Sequence, residues 1–245
     1  MVGIIDSGSG GFNVIKECNK YFKEDYIYIF DNLNSPYGNL SAERVVEITK
    51  KNIDYLLSNY NLDFIIVACN TASSLFDLID YKNQIPILKT NPNLTSVNDL
   101  KSKTLVFATK NTIYHNKSVK FYLQNFNNLK TLYIKNLPKL IDNYIEQKTY
   151  KNYNKIVTKL KHYFCHKNKL KNKYKNVKYL SLGCTHFRHI EPILLKIFNH
   201  KINILYCEHE VAKNAQIFVR KNKQKTSIKI IKTSVLYNLT NKFKV

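Results

Sequence analysis

Acidic residues and arginine are scarce in this sequence. Its 245 residues contain 17 Asp and Glu against 39 Lys and Arg, and only Arg44, Arg188 and Arg220 are arginine. The net charge of +22 favours attraction to polyanions, but arginine is the side chain suited to bidentate phosphate and base contacts. The absence of tryptophan together with 31 asparagines is typical of drift in an adenine- and thymine-rich genome. We therefore expect nucleic acid to bind only weakly and non-specifically.

Long apolar runs are also missing. No run approaches the roughly 18 to 20 residues that a membrane-spanning helix needs, although a hydrophobic content of 44% is typical of a globular chain. Residues 1–6 show neither the positive region nor the apolar region of a secretory signal. These features predict a soluble, cytoplasmic protein that does not associate with membranes.

The cysteines lack a pairing pattern. There are five, an odd number, without a C-x-x-C pair, which disfavours both a disulfide framework and a zinc ribbon. His162, Cys165 and His166 would share one face of a helix, as metal ligands can, but no fourth ligand is evident nearby. We expect reduced thiols and no metal site.

The chain does contain short apolar runs that alternate with segments of helical periodicity, a pattern typical of an α/β fold with parallel sheets. The expected strands are 2–5, 26–30, 65–68, 85–88, 104–108, 131–134, 179–182, 202–206 and 228–231. Helices are expected near 14–22 and over 41–59, 71–81, 137–146 and 152–176. Two more are expected, one that follows the polar turn 109–112 and reaches about residue 125, and one that starts around residue 190. The length allows two halves. We assign residues 1–94 and 205–245 to a first α/β domain and 95–204 to a second, each with a mostly parallel sheet flanked by helices.

Two cysteines occupy matching positions in the two halves. Cys69 follows the strand 65–68 and precedes a helix, and Cys184 follows the strand 179–182. Open α/β sheets bind ligands at the carboxyl ends of their strands, and a helix amino end favours the thiolate. Either cysteine alone could be a buried structural residue. Their repetition predicts paired roles, with His186 close enough to tune Cys184.

The turn 6–11 after the first strand is rich in glycine. Such a turn can direct backbone N–H groups at a carboxylate or a phosphate. It lacks the Lys-Ser/Thr ending of a P-loop and the spacing of a dinucleotide fingerprint, and Asp6 would repel phosphate. Asp6 can instead hold an ammonium group or assist a proton transfer. The turn therefore disfavours a nucleotide and suits acid–base chemistry.

Four short segments, including this turn, together form a recognisable set of motifs. They are Asp6-Ser7-Gly8-Ser9-Gly10-Gly11, Ser35-Pro36-Tyr37-Gly38, Val67-Ala68-Cys69-Asn70-Thr71-Ala72-Ser73 and Leu182-Gly183-Cys184-Thr185-His186. In order and spacing they resemble the motifs of glutamate racemase, in the aspartate/glutamate racemase superfamily, and the match covers most of the chain. The resemblance implies two pseudo-symmetric α/β domains with the active site in the cleft between them, no cofactor, and Cys69 and Cys184 as the two bases.

Inversion of a stereocentre requires a proton to leave one face of Cα and to return on the other. By resemblance, Cys69 acts on the D-isomer with support from Asp6, and Cys184 acts on the L-isomer with support from His186 and Glu146. The residues expected to bind substrate are Asp6, Ser7, Tyr37, Gly38, Asn70, Thr71, Thr109, Thr112, Thr185 and His186.

Some positions depart from the family pattern without affecting the two thiols. The run 30–34 lacks the usual arginine, Leu137 replaces a cysteine, and Cys207-Glu208 stands where an aspartate and a small residue are common. The expected function is the cofactor-independent interconversion of L- and D-glutamate, supplying D-glutamate for peptidoglycan synthesis, by a protein that could form a homodimer. The alternative is a catalytically weak protein of the same fold whose basic surface binds nucleic acid or an acidic partner.

Overall fold

The computed structural model describes residues 1–79, 85–220 and 223–234. In this part of the chain the strands are β1 (Val2–Asp6), β2 (Asp25–Phe30), β3 (Phe64–Val67), β4 (Ile87–Lys89), β5 (Lys103–Ala108), β6 (Leu129–Leu132), β7 (Cys165–His166), β8 (Lys169–Leu170), β9 (Val177–Gly183), β10 (Asn203–Tyr206) and β11 (Ser227–Lys232). The helices are α1 (Gly11–Cys18), α2 (Ala42–Asn59), α3 (Asn70–Leu75), α4 (Lys110–His115), α5 (Lys117–Asn125), α6 (Leu137–Gln147), α7 (Tyr150–Phe164), α8 (Glu191–Ile197) and α9 (Cys207–Ala215). None of these helices combines the length and apolar content that crossing a bilayer requires.

The first sheet is parallel throughout, in the order β11-β2-β1-β3-β4. Every residue of β1 and β3 is buried, as expected of apolar strands that are covered on both faces. On one face α1 and α9 pack together through Val14 and Val211. On the other face α2 packs through Ile53 and Leu56. The helices therefore cover the faces of the sheet and leave the carboxyl ends of its strands for the functional loops.

The second sheet is also parallel, in the order β10-β9-β5-β6. Helices α6, α7 and α8 cover one face in a single apolar cluster that includes Ile141, Phe164 and Leu194. On the other face Val119 of α5 packs with Leu94. Two mostly parallel sheets, each flanked by helices, confirm the predicted fold class.

The carboxyl ends of the two sheets meet. Thr185, just after β9, donates a hydrogen bond to Asp6 at the end of β1 over 3.4 Å. The hydroxyls of Thr71 and Thr109, which follow β3 and β5, are 2.9 Å apart. The strand ends of both sheets therefore converge on one cleft.

One strand belongs to a different sheet from the one predicted. Residues 202–206 were expected to return to the first domain, but β10 pairs with β9 in the second sheet. Leu205 of β10 packs with Tyr179 and Val97, which accounts for this position. The strand expected at 228–231 does lie in the first sheet, as β11 beside β2. The division into a first domain of residues 1–94 and 205–245 and a second of residues 95–204 stays a prediction. The bound at 204/205 cuts through β10, which as a whole pairs in the second sheet.

The predicted helix 152–176 is too long. α7 ends at Phe164, and the chain continues as the β7–β8 hairpin and a 3₁₀ turn at Asn172–Tyr174. Lys167 and Asn168 in the hairpin turn have φ values of 46° and 61°. Asparagine tolerates this left-handed conformation better than most residues, and two such residues in succession cannot continue a helix. The apolar stripe of α7 ends at the same point.

Smaller differences concern element ends. The helix expected over 71–81 ends at Leu75 and is followed by a 3₁₀ turn to Leu78, and Tyr81 lies outside the described residues. The strand expected at 131–134 lies at 129–132 instead. The helix up to 125 is divided into α4 and α5 because the Asn116 side chain accepts the Val119 N–H and begins a new helix.

Candidate active site

Cys69 lies between β3 and α3, where the sequence predicted it. Its backbone is extended, and the helix begins at the next residue. The Cys69 Sγ is 3.5 Å from Ser7 Oγ, in the turn after β1. The side chain is only 5% exposed. The first thiol is therefore held at the strand ends of the first sheet, within hydrogen-bonding range of a hydroxyl.

Asp6 is fully buried beside this thiol. One carboxylate oxygen accepts the backbone N–H of Gly8 over 3.0 Å, and the other accepts the hydroxyl of Thr185. Burial raises the pKa of Asp6 to about 6, against the opposing effects of the His186 charge and the Gly8 hydrogen bond. Burial and the Asp6 charge raise the pKa of Cys69 to about 11. Asp6 can thus exchange a proton near neutral pH, and the Cys69 thiolate is a stronger base than an ordinary one.

Asp6→Asn should stabilise the protein at alkaline pH more than at acidic pH. The folded-state pKa of about 6 lies above the ordinary aspartate pKa of 3.8, so the native state holds the proton more tightly and wild-type stability falls as pH rises through this window. The variant lacks this loss. Its gain in free energy of unfolding over wild type should therefore be about 2 kcal/mol larger at pH 8 than at pH 4.5.

Urea unfolding of both proteins at the two pH values measures this difference, because contributions from unchanged groups cancel. A gain that is the same at both pH values would contradict the raised pKa of Asp6.

Cys184 forms the second part of the site, after β9. Its Sγ lies 3.6 Å from Nδ1 of His186, and Nε2 of the same ring lies 3.1 Å from Oδ1 of Asp142. The contact with Asp142 is an ion pair whose geometry is not that of a hydrogen bond, so Nε2 has no hydrogen-bond partner in the described residues. Burial disfavours the charged ring, but Asp142 outweighs it, and the pKa of His186 is raised well above its usual value. A cationic imidazole beside a thiol suits proton exchange between them.

Asp142 is the carboxylate that lies against His186, whereas no such contact is seen in the described residues for Glu146, which was expected to support Cys184. Both carboxylates belong to α6, one turn apart, but Glu146 is exposed. Asp142 also accepts hydrogen bonds from Ser35 over 3.1 Å and Ser9 over 3.5 Å, both on the other side of the cleft. Residues four apart share a helix face, so the sequence indicates the face but not which turn lies opposite the end of β9.

A chain of threonines connects the two sides of the cleft. The hydroxyl of Thr109 lies 2.9 Å from that of Thr71 and 2.9 Å from that of Thr112. Gly38 approaches Thr109 so closely that an added Cβ would collide with its side chain. All four were predicted at the site, and the structure brings them together.

The predicted site residue Tyr37 is buried, with its ring packed in the same apolar cluster as Cys69. Its hydroxyl donates to Asp31 over 2.5 Å and accepts a hydrogen bond from Asn52 over 3.1 Å. Asp31 and Asn52 are supporting residues that sequence reasoning missed. Asp31 could have been found, since it directly follows β2 at the same edge of the sheet where Asp6 ends β1.

Asn70 is the buried polar residue with the poorest hydrogen bonding at the site. It is 2% exposed, and neither its amide nitrogen nor its amide oxygen has a hydrogen-bond partner in the described residues. The thiol of Cys207 lies beside it, but a thiol is a weak hydrogen-bonding group. An unsatisfied buried group costs about 1–3 kcal/mol, so a ligand carboxylate that pairs with the amide would remove a real penalty.

The departures at Cys207 and Glu208 are accommodated by pairing. Glu208 is buried, and its carboxylate forms an ion pair with Arg188 over 2.9 Å. The guanidinium of Arg188 lies 3.6 Å from the ring centroid of Tyr206. Cys207 donates to the second oxygen of Glu208 over 3.4 Å. The extra carboxylate near the cleft is thus balanced by a cation.

The three candidate metal ligands do not share a helix face. His162 belongs to α7, but Cys165 and His166 form β7. Across residues 1–79, 85–220 and 223–234, no group of three or more His, Cys, Asp or Glu side chains is arranged to hold a metal ion. The metal alternative therefore has no support from geometry in that region.

Comparisons with known proteins bear on this arrangement. No family model matches the chain. A glutamate racemase of Clostridium botulinum (strain Kyoto / Type A2) is 32% identical over 212 residues, which cover 83% of this chain and 77% of that relative. The solved structure of a glutamate racemase isoform from Bacillus anthracis has a TM-score of 0.78 at 21% identity, covering 99% of this chain and 93% of its own. That of glutamate racemase from Francisella tularensis in complex with D-glutamate has a TM-score of 0.73 at 23% identity, covering 95% and 87%.

Proposed function

Because this chain belongs to the glutamate racemase family, we propose that it interconverts L- and D-glutamate by moving a proton between the two faces of Cα. The observation that carries this proposal is the pair of cysteines at the converging strand ends of two different sheets, Cys69 with the titratable neighbour Asp6 and Cys184 with His186. Inversion needs one acid–base group on each face of the substrate. Cys69 and Cys184 supply these two groups.

On the first face, Cys69 exchanges a proton with Cα of the D-isomer. Asp6, with a pKa of about 6, is ionised at neutral pH and accepts the thiol proton. The resulting thiolate is strongly basic because burial and the Asp6 charge raise the pKa of its thiol to about 11. Ser7 lies within hydrogen-bonding range of the sulfur and orients it.

On the second face, Cys184 exchanges a proton with Cα of the L-isomer. His186 supplies a proton to this sulfur or removes one from it through Nδ1. Asp142 is a positioning residue that holds the imidazole and favours its charged form. In each direction of the reaction one cysteine acts as the base and the other as the acid.

Substrate binding uses the donors at the strand ends. Removal of the Cα proton shifts negative charge onto the α-carboxylate, so donors aimed at that group lower the barrier. The side-chain amide of Asn70, which has no hydrogen-bond partner in the described residues, can donate to the α-carboxylate. The hydroxyls of Ser7, Thr71 and Thr185 are further donors at the same strand ends. Tyr37, Gly38, Thr109, Thr112 and His186 complete the proposed binding residues.

Entry of substrate requires the two sides of the cleft to separate. Cys69 and Cys184 are 5% and 7% exposed. A Cβ added at Gly8 would collide with His186, so the two loops are in close contact. Opening must break the contact of Asp142 with Ser35 and Ser9, which joins α6 to the first half. The same carboxylate therefore positions His186 and holds the closed state.

The wider setting belongs to the same proposal. We place the enzyme in the cytoplasm and assign its D-glutamate to peptidoglycan synthesis. A homodimer is compatible with this role, and the lysine-rich surface should bind nucleic acid only weakly and without sequence preference.

Circular dichroism of the purified protein with L-glutamate tests the proposal. The signal should decay to zero, the mirror-image signal of D-glutamate should decay equally far, and L-aspartate should be unchanged. A stable signal with both glutamate enantiomers, from folded and reduced protein, would refute racemase activity.

We expect activity to persist after dialysis against a chelator and without added pyridoxal phosphate, because two thiols suffice for proton transfer on both faces. The same circular dichroism assay before and after dialysis measures this, with reductant present to keep the thiols reduced. A loss that added zinc restores would require a metal-dependent mechanism instead.

A further inference from the structure

A second concave site lies on the second half of the molecule, away from both cysteines. It is a groove of about 920 Å³ bounded by the end of α7, the β7–β8 hairpin, the start of β9 and the end of α8. Val177, at the start of β9, lines the groove, whereas Cys184 follows the other end of this strand. The seven residues of β9 separate the two sites by roughly 23 Å at about 3.3 Å per residue.

The floor of the groove is apolar. Its side chains belong to the large apolar cluster beneath α6, α7 and α8, or pack against it, and they include Val157, Leu170, Tyr174, Ile193, Ile197 and Phe198. The volume is in the range of about 300–1,000 Å³ typical of small-molecule sites, which are concave and mostly apolar. An open groove with this floor leaves apolar surface in contact with water, and a ligand with an apolar body would cover it.

The rim of the groove is cationic. No described lining residue is acidic. Six lysines line the rim, namely Lys161, Lys169, Lys175, Lys178, Lys196 and Lys201. In the part of the chain that the structure describes, only Lys178 among them has an ion-pair partner, Asp99 at 3.8 Å. Like charges around one concavity raise the local potential and attract an anion.

We propose that this groove binds a small amphiphilic anion, a molecule with an apolar body and a phosphate, sulfate or carboxylate head. The apolar body covers the floor formed by α7 and α8, and the head lies among the rim lysines. A solvated lysine surface would explain the charge but not the concave apolar floor beneath it. A nucleic acid would need an extended track, whereas the lysines here surround a single ligand-sized volume. This proposal does not depend on the racemase activity.

Decyl phosphate, kept below its micelle concentration, is a suitable probe for calorimetry. It should bind at one site and more weakly as salt rises. Decyl maltoside has the same alkyl chain without the charge, and inorganic phosphate has the charge without the alkyl chain. Each should bind at least about tenfold more weakly than decyl phosphate, because the first loses about three exposed charge contacts and the second loses the apolar contact.

Cys165 provides a local readout because it lines the groove. It is partly exposed, whereas the other four cysteines are buried. Its alkylation by N-ethylmaleimide, followed by mass spectrometry, should slow when decyl phosphate is bound. Unchanged alkylation at saturating ligand would show that the ligand binds elsewhere and would overturn the proposal.

A charge-matched pair of variants separates local contacts from net charge. Lys169→Gln/Lys196→Gln/Lys201→Gln should weaken decyl phosphate binding about tenfold, at about 0.5 kcal/mol for each exposed contact. Lys50→Gln/Lys130→Gln/Lys213→Gln removes the same charge from exposed lysines elsewhere and should leave binding unchanged. Thermal unfolding checks that both variants are folded.

Four further results would overturn the proposal. Equal binding of decyl maltoside would show that charge is not recognised. Equal binding of phosphate, or displacement of decyl phosphate by a single-stranded oligonucleotide with comparable affinity, would show a general lysine field rather than an amphiphile site. Equal weakening in both triple variants would show that only net charge matters.

Discussion

Replacing either Cys69 or Cys184 with alanine is expected to lower kcat/KM for glutamate racemisation at least about 10³-fold, because each change removes the group proposed to exchange a proton with one face of Cα. Both side chains are small and lie at loop positions after a strand, so the variants should fold. Circular dichroism of L- and D-glutamate measures the loss.

The single variants should also differ in which enantiomer exchanges its Cα proton with solvent. Cys184→Ala retains Cys69 and should exchange the proton of D-glutamate without inverting it, whereas Cys69→Ala should do so for L-glutamate. Proton NMR in deuterium oxide separates these outcomes. Cys165→Ala, a cysteine outside the cleft, is the control and should be fully active. Full racemisation by either catalytic-site variant would refute the two-base assignment.

Asp142→Asn is expected to lower kcat/KM about 10²-fold through its effect on His186. The carboxylate lies 3.1 Å from Nε2 and opposes the effect of burial on the pKa of the ring. Without it, burial lowers the pKa of His186, and the kcat/KM optimum should move to lower pH. The fall must be equal in both directions, because the equilibrium constant between enantiomers is one. A pH profile of kcat/KM from both enantiomers measures these effects.

Glu146→Gln is the matched control for Asp142, since it removes a carboxylate from the same helix one turn away, at an exposed position. It should leave both kcat/KM and the pH profile unchanged. Asp142→Glu keeps the charge and should recover part of the activity and the original pH optimum. A pH profile of Asp142→Asn that matches wild type would show that Asp142 has only a structural role.

The sequence indicated the fold where its signals are local. β1, β3, β5 and β9 were predicted to within about two residues, because each is a short, apolar, fully or nearly fully buried run followed by a polar turn. The sheet of β10 could not be predicted in this way, since pairing with β9 is a non-local contact. The alternating lysines after Phe164 hid the hairpin, because its turn residues, Lys167 and Asn168, include neither glycine nor proline.

The candidate site shows the same division. Both cysteines, Asp6 and His186 lie at or just after strand ends, where open α/β sheets bind ligands, and the resemblance to glutamate racemase implied that the two groups would share one cleft. Asp142 could not be distinguished from Glu146, because the choice depends on how α6 lies against the loop after β9. The unsatisfied amide of Asn70 and the ion pair of Glu208 with Arg188 depend on three-dimensional packing.

The family assignment also bears on the alternative function. A catalytically weak binding protein of this fold would not need two buried thiols, each beside a titratable group. The positive charge that suggested this alternative comes mainly from lysine rather than arginine. We find no observation that favours this alternative over racemisation.

The most direct test of the proposed two-thiol mechanism is the time course of L-glutamate racemisation in deuterium oxide. A two-base mechanism predicts that D-glutamate forms with deuterium at Cα while the remaining L-glutamate still carries hydrogen at Cα. Because the C–D bond of the product breaks more slowly, the circular dichroism signal should pass through zero, reach the opposite sign and then return. A monotonic decay to zero, with deuterium appearing in both enantiomers at the same rate from the start, would contradict the mechanism.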